Sequence, residues 1–121
     1  MAGAAVEIAK RYLEALFAED HDTAFQLLHP EVEVVSPRRT TRGAEQVRAR
    51  WGKADYDHLA PEVDGREFSE SDGVVHATTH MTWRWKDSGE IAYRTRVDGD
   101  FAVEDGLITR IETAVEHRAA A

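Results

Sequence analysis

The sequence contains no cysteine, which excludes disulfide bonds, thiolate metal sites and a cysteine nucleophile. Basic residues are also scarce, because 15 lysines and arginines stand against 23 aspartates and glutamates and give a formal net charge of −8. Such a charge repels a phosphate backbone, so we expect no nucleic-acid partner. Prolines number only three in 121 residues, and no proline-rich linker interrupts the chain.

Long apolar runs are absent too. No stretch approaches the ~20 residues that cross a bilayer, and the start "MAGAAVEIAK" lacks the basic-then-apolar order of a signal peptide. We therefore expect a cytoplasmic protein with no membrane partner. A length of 121 residues predicts a single domain over residues 1–118, followed by a short C-terminal tail at 119–121.

The first half of the sequence predicts helices. "AAVEIAKRYLEALFAED" has apolar residues at three- and four-residue spacing with charges between them, which indicates an amphipathic helix. A second helix is expected to open at His21 and Asp22, with Asp22 as its N-cap, and to stop before Pro30. "EVEVVS" then alternates like a strand, and "RGAEQVRARW" predicts a third helix.

The second half predicts long strands joined by turns. "SDG", "DSG" and "EDG" are turn signals that separate strands at 74–86, 90–103 and 107–117. Strands of this length usually curve, and the curved sheet then packs around another layer of the protein. The expected fold class is therefore α+β, with a cone-shaped, curved antiparallel β-sheet and the N-terminal helices packed on its concave face.

Alternation in "VVHATTHMTWRW" divides the first of these strands into two faces. The odd-numbered residues are mostly apolar and should face the helices, whereas the even-numbered residues are polar and should face outward. The inward residues of this strand, together with residues of the third helix and the next strand, predict a concave pocket for a hydrophobic small molecule. The predicted ligand-binding residues are Trp51, Met81, Trp83, Trp85, Tyr93, Val97 and Phe101.

The outward set includes His76 and His80, which project the same way at an expected separation of about 6–7 Å. Two imidazoles can hold a metal ion, but a third ligand is not evident. The neighbouring residues are threonines and arginines, so a solvated surface without a metal is the favoured interpretation.

The order of elements resembles the nuclear transport factor 2-like superfamily. "RYLEALFAEDHDTAFQLLHPEVEVVSP" and "TRGAEQVRARW", followed by "VEDGLITRIE", are similar to its SnoaL-like and ketosteroid-isomerase-like branches. The resemblance implies a hydrophobic ligand in the cone and no cofactor. It also implies a homodimer through the outer sheet face, which carries His76, Thr78, His80, Arg94 and Arg96.

The resemblance to ketosteroid isomerases places Tyr12 at the oxyanion-binding tyrosine. That chemistry also needs a carboxylate base, and Ser36 stands at its position. Asp98 and Asp100 have the wrong alternation to supply the second acid, unless a bulge near Gly99 reverses it. The "TRVDG" stretch matches the arginine-x-aspartate pattern of limonene-epoxide-hydrolase-like enzymes, but on the wrong strand.

The resemblance to SnoaL-like cyclases requires an acid or base in the pocket, for which His117, Tyr12 and His29 are the candidates. Tyr12 and His117 are the predicted catalytic residues. Three hypotheses follow: an isomerase, cyclase or dehydratase acting on a hydrophobic substrate, a non-catalytic binding protein, and a dimerisation module with an empty pocket.

Overall fold

The computed structural model describes residues 4–51 and 58–119, with side chains described as far as Glu116. The helices are α1 (Ala4–Phe17), α2 (His21–Gln26) and α3 (Ala44–Arg48). The strands are β1 (Leu28–Ser36), β2 (Arg39–Arg42), β3 (Leu59–Ser71), β4 (Val74–Trp85), β5 (Ile91–Glu104) and β6 (Leu107–Ala119). Within the described ranges, no helix combines the length and the apolar character needed to cross a membrane.

The strands form one curved sheet in the order β2-β1-β6-β5-β4-β3. Neighbouring strands are antiparallel except β1 and β6, which pair in parallel, since the chain between them is long enough to cross over. Helix α1 contacts β3, β4, β5 and β6, and α3 contacts β1 and β2. The side of the sheet that faces these helices is the concave face, and the other side is the convex face. The predicted α+β class is confirmed.

Helix α1 buries one side, on which Ala9, Tyr12 and Ala15 recur every third residue. The prediction that Asp22 caps α2 is wrong, because the cap is Asp20. Its carboxylate accepts hydrogen bonds from the backbone N–H of Thr23 at 3.3 Å and from the Thr23 hydroxyl at 2.7 Å. A cap must precede the first helical residue, and Asp22 already lies in the first turn.

The predicted turns are confirmed at both tight hairpins. Asp72 and Gly73 have φ angles of 51° and 80°, and Asp105 and Gly106 have 50° and 81°. Two consecutive positive φ values are the geometry of a type I′ turn, whose twist matches that of the paired strands. The strands beside these turns are therefore held in a fixed register.

The register confirms the predicted alternation on β4 and β5. Pairing runs without a shift from Trp83 opposite Tyr93 to Val75 opposite Phe101, so these side chains share the concave face. No bulge occurs at Gly99, and Asp98 and Asp100 therefore lie on the convex face. In the next strand, Ile111 and Val115 of β6 lie opposite Phe101 and Val97 of β5.

Gly99 allows one side chain to fold back over the sheet. A Cβ added at Gly99 would lie 2.9 Å from Cε1 of the Phe101 ring, closer than real Cβ contacts come. Phe101 is 2% exposed, and its ring meets the ring of Tyr12 edge-on at a centroid separation of 6.0 Å. The missing side chain of Gly99 therefore places Phe101 against α1.

We expect the Gly99→Ala substitution to lower the free energy of unfolding by about 1–3 kcal/mol, because the new methyl group overpacks the Phe101 ring. Gly65→Ala is the matched control. It lies in another strand, a Cβ there meets nothing within 4 Å, and its effect should stay within about 0.5 kcal/mol. Urea denaturation of both variants measures the difference. Equal stabilities would contradict the role given to Gly99.

Candidate functional site

The concave face is covered at one end and open at the other. On β6, Ile111 is 3% exposed, whereas Val115, four residues later on the same face, is 51% exposed. The closed end consists of Tyr12, Trp51, Val75, Phe101 and Ile111. The open end consists of Met81, Trp83, Trp85, Tyr93, Thr95, Val97 and Val115, of which Trp85 and Val115 are exposed and Met81, Trp83 and Thr95 are buried.

An aromatic pair forms the wall of the open end. The rings of Trp83 and Tyr93 stack at a centroid separation of 5.9 Å and an angle of 25°. The indole N–H of Trp83 donates a buried hydrogen bond of 3.0 Å to the Thr95 hydroxyl oxygen. Because that oxygen accepts, the hydroxyl hydrogen of Thr95 is left to donate to another group.

Trp85 extends this wall to the rim, where its side chain is 44% exposed. It borders a cleft of about 280 Å³ that is also lined by His58, Lys86 and Asp87. Met81, opposite Thr95, is buried, and Val97, opposite Thr79, is half-buried. The open end thus presents apolar side chains and a hydroxyl, which suits an apolar ligand.

Tyr12 lies at the closed end. Its ring is 4% exposed and lies 6.3 Å from the Trp51 ring, which in turn lies 5.4 Å from the ring of His21. Burial raises the pKa of Tyr12 well above its ordinary value, and a hydrogen bond from Trp51 only partly opposes this shift. The hydroxyl of Tyr12 is therefore neutral at physiological pH, and its oxygen accepts the hydrogen bond from the Trp51 indole N–H.

The structure separates the predicted ligand-binding residues into two groups. Trp51 and Phe101 surround Tyr12 at the closed end, and Met81, Trp83, Trp85, Tyr93 and Val97 lie at the open end. A spacing of four residues along β5, from Phe101 to Val97, corresponds to about 13 Å. The two groups are therefore separated along the sheet.

The histidine and serine candidates have different surroundings. His117 pairs with Thr95 through the backbone, but its side chain lies outside the described part of the chain. His29 lies in β1, and its Nδ1 accepts a hydrogen bond of 3.0 Å from the backbone N–H of Glu31. The hydroxyl of Ser36 donates to the carbonyl oxygen of Arg39 at 3.1 Å and thereby stabilises the turn between β1 and β2.

The concave face carries a cation, Arg66, that the sequence pattern does not predict. Arg66 lies in β3 opposite Thr79, because a shift in pairing between Val63 and Gly65 reverses the alternation of the strand. Its guanidinium carbon lies 5.4 Å from the centroid of the Phe17 ring. Burial lowers the pKa of Arg66, and the charge of Glu14 opposes the shift. The only signal in the sequence is the glycine inside "VDGRE", which is typical of a bulge.

The convex face is polar and internally paired. Nδ1 of His76 lies 2.5 Å from a carboxylate oxygen of Asp100, and the hydroxyl of Thr78 donates to Asp98 at 2.9 Å. His76 and His80 are four residues apart, which corresponds to about 13 Å along a strand, so the expected 6–7 Å was wrong. No group of three metal-ligating side chains occurs among the described residues.

A family profile described as the SnoaL-like domain matches residues 9–111. No curated protein matches the sequence. Among solved structures, a nuclear transport factor 2-like protein from Burkholderia xenovorans LB400 is 18% identical with a TM-score of 0.78, covering 96% of this chain and 92% of the other.

Two further similar structures have names that suggest enzymes. A candidate polyketide cyclase from Silicibacter sp. TM1040 is 20% identical with a TM-score of 0.76, covering 93% of this chain and 89% of the other. A candidate ketosteroid isomerase from Kribbella flavida DSM 17836 is 15% identical with a TM-score of 0.74, covering 98% and 82%. At these identities, the likeness concerns the fold.

The environment of Tyr12 predicts a pH effect on stability. Above about pH 10, the ordinary pKa of tyrosine, the unfolded chain ionises this residue while the folded protein keeps it protonated. The unfolded state then binds fewer protons, so the free energy of unfolding falls as the pH rises. We expect the Tyr12→Phe variant to lose less stability than the wild type between pH 9 and pH 11. Urea denaturation across this range measures the effect, and parallel curves would contradict it.

Proposed function

The chain belongs to the SnoaL-like domain family of the nuclear transport factor 2-like superfamily, and we propose that it binds a small molecule with an apolar or aromatic body at the open end of the concave face. The alternative is a family member that catalyses acid–base chemistry there, as an isomerase, cyclase or dehydratase.

The half-exposed Val115 is the observation that carries this proposal. Single exposed apolar side chains are common on protein surfaces and need no explanation. Val115 instead lies on the concave face, in line with Val97, and Trp85 is exposed at the rim of the same end. Apolar surface gathered in a concavity is typical of a ligand site.

The Trp83–Tyr93 pair favours a flat or compact apolar body. Stacked aromatic rings offer a large rigid surface. Because the two side chains are already ordered in the free protein, binding a ligand costs little further side-chain entropy. The Thr95 hydroxyl next to them supplies a hydrogen-bond donor. One donor beside an aromatic wall suits a ligand that carries a carbonyl or similar oxygen.

The charges on the concave face support binding over acid–base catalysis. Among the described concave positions of β3 to β6, the one carboxylate is Glu70, which is exposed and lies opposite Val75 at the closed end, and Tyr12 is held neutral at the same end. Proton abstraction needs a base within about 3 Å of the substrate proton. We therefore propose that the protein binds its ligand without isomerising it, and that the predicted catalytic roles of Tyr12 and His117 are not needed.

We expect 2-adamantanone, an apolar ketone, to change the tryptophan fluorescence of the wild type in a saturable manner. Trp83→Phe should weaken binding about 2–10-fold, the range expected for an aromatic pair. Trp51→Phe is the matched control and should leave the affinity unchanged, because Trp51 packs against Tyr12 and His21 at the closed end.

The two variants also test which group of predicted residues holds the ligand. Weaker binding in Trp51→Phe with unchanged binding in Trp83→Phe would move the site to the closed end. The absence of saturation in the wild type, for ketones and phenols alike, would contradict the proposal.

We also propose a homodimer formed through the convex face. The family resemblance suggests it, and His76, His80, Arg94 and Arg96 are exposed there beside the carboxylates of Asp98 and Asp100. Mixed charges of this kind can pair across a two-fold axis.

Sedimentation at micromolar concentration should therefore give twice the monomer mass of 13.6 kDa. Arg96→Glu, which places a negative charge in this surface, should shift the equilibrium toward monomer, while Arg42→Glu, on the edge strand β2, should not. A monomer in all three samples would contradict the dimer.

A further inference from the structure

Arg66 has an unusual environment for an arginine. Its side chain is half-buried on the concave face, and its Nε atom is fully buried without a hydrogen-bond partner among the described residues. A buried N–H without a partner typically costs about 1–3 kcal/mol. Such a group calls for an explanation, and in a binding site a ligand can supply the missing acceptor.

Arg66 differs from the exposed arginines Arg11, Arg38, Arg39, Arg50 and Arg94, which are open to solvent, and five other described arginines are paired with carboxylates at the surface. Each of these five forms an ion pair with a carboxylate at 2.5 to 3.5 Å: Arg42, Arg48, Arg84, Arg96 and Arg110. Arg66 has no such pair among the described residues. Its recorded neighbours are the Phe17 ring and the charge of Glu14.

A role as a cap of α1 does not explain this arrangement. The carbonyl oxygens of Glu14, Ala15 and Leu16 already accept hydrogen bonds from Ala18, Asp20 and Glu19, respectively. The Phe17 ring covers Arg66 and is itself 42% exposed at the end of the helix. The guanidinium is therefore held in place by an aromatic ring and not by an acceptor.

The register places Arg66 beside the open end. Arg66 faces Thr79, which faces Val97, which faces Val115, so the four residues form one row across the concave face. Met81 lies two residues after Thr79 along β4, which corresponds to about 7 Å between these two residues. A ligand of roughly two fused rings could span from Arg66 to Met81 and Val97.

We propose that Arg66 binds an acidic group of the ligand, and hence that the natural ligand is an apolar or aromatic acid, such as a carboxylate or an acidic enol. This inference rests on the proposed function, since it assigns the ligand class of the same site. The planar guanidinium offers two parallel N–H donors to a carboxylate, and partial burial strengthens such a bond.

The test compares two ligands of one shape by isothermal titration calorimetry. The probes are 2-naphthoate, which carries a carboxylate, and 2-naphthamide, which is neutral. The affinity of the wild type for the acid should be at least about 10-fold higher than its affinity for the amide, as expected for a hydrogen bond to a charged group. In Arg66→Gln, the two affinities should become equal because the acid binds less tightly, while the affinity for the amide is unchanged.

Arg66→Lys keeps the charge but not the paired donors, so it should retain part of the preference for the acid. Arg94→Gln, on the convex face, removes a cation of the same kind and should keep the full preference. Thermal unfolding of each variant confirms that it folds. The Nε–H signal of Arg66 in a ¹⁵N spectrum, identified by its loss in Arg66→Lys, should shift on addition of 2-naphthoate and not of 2-naphthamide.

Equal affinities of wild type for the two probes, or an unchanged preference in Arg66→Gln, would overturn the role of Arg66 and leave the proposed function intact. Failure of both probes to bind wild type would overturn the proposed function as well. Loss of the preference in Arg94→Gln would assign the acid to the convex face and also overturn the inference.

Discussion

The burial of one face of the long strands is the constraint on which the rest of the structure depends. Strands β4 and β5 place their odd-numbered side chains on a single side, and most of these side chains are apolar. A sheet with one apolar face must pack against another layer, and α1 supplies it by crossing β3 to β6. Phe101, lying over Gly99 and against Tyr12, fixes the point at which the two layers meet.

The same constraint explains why part of the concave face is exposed. A helix with its side chains is about 10–12 Å wide, whereas strands of 12 and 14 residues, such as β4 and β5, extend for about 40–46 Å. A single crossing helix therefore covers only part of the apolar face. Ile111 lies under the covered part, and Val115 on the same strand does not. The open end lies beyond this crossing, where Trp85 and Val115 are exposed and Met81, Trp83 and Thr95 are buried. We propose that its aromatic wall and Arg66 hold an apolar acid.

Much of this arrangement could be predicted from the sequence, because alternation and turn residues act locally. The inward positions of Met81, Trp83 and Phe101 follow from period-two alternation, and both type I′ turns follow from "DG" pairs. Arg66 was not predicted, since a register shift reverses the alternation of β3 after Val63. The N-cap of α2 was also predicted wrongly, because it is Asp20 and not Asp22. The division into closed and open ends also escaped prediction, because it depends on where α1 crosses the sheet.

The central claim is that the uncovered part of the concave face is a ligand site. Methyl-resolved NMR during a titration with 2-adamantanone tests it most directly, since methyl groups occur at both ends of the face. The account predicts saturable shifts with one dissociation constant at Met81, Val97 and Val115, and unchanged signals at Val75, Ile108 and Ile111. Shifts confined to the second set, or no saturable shift at either end, would contradict it.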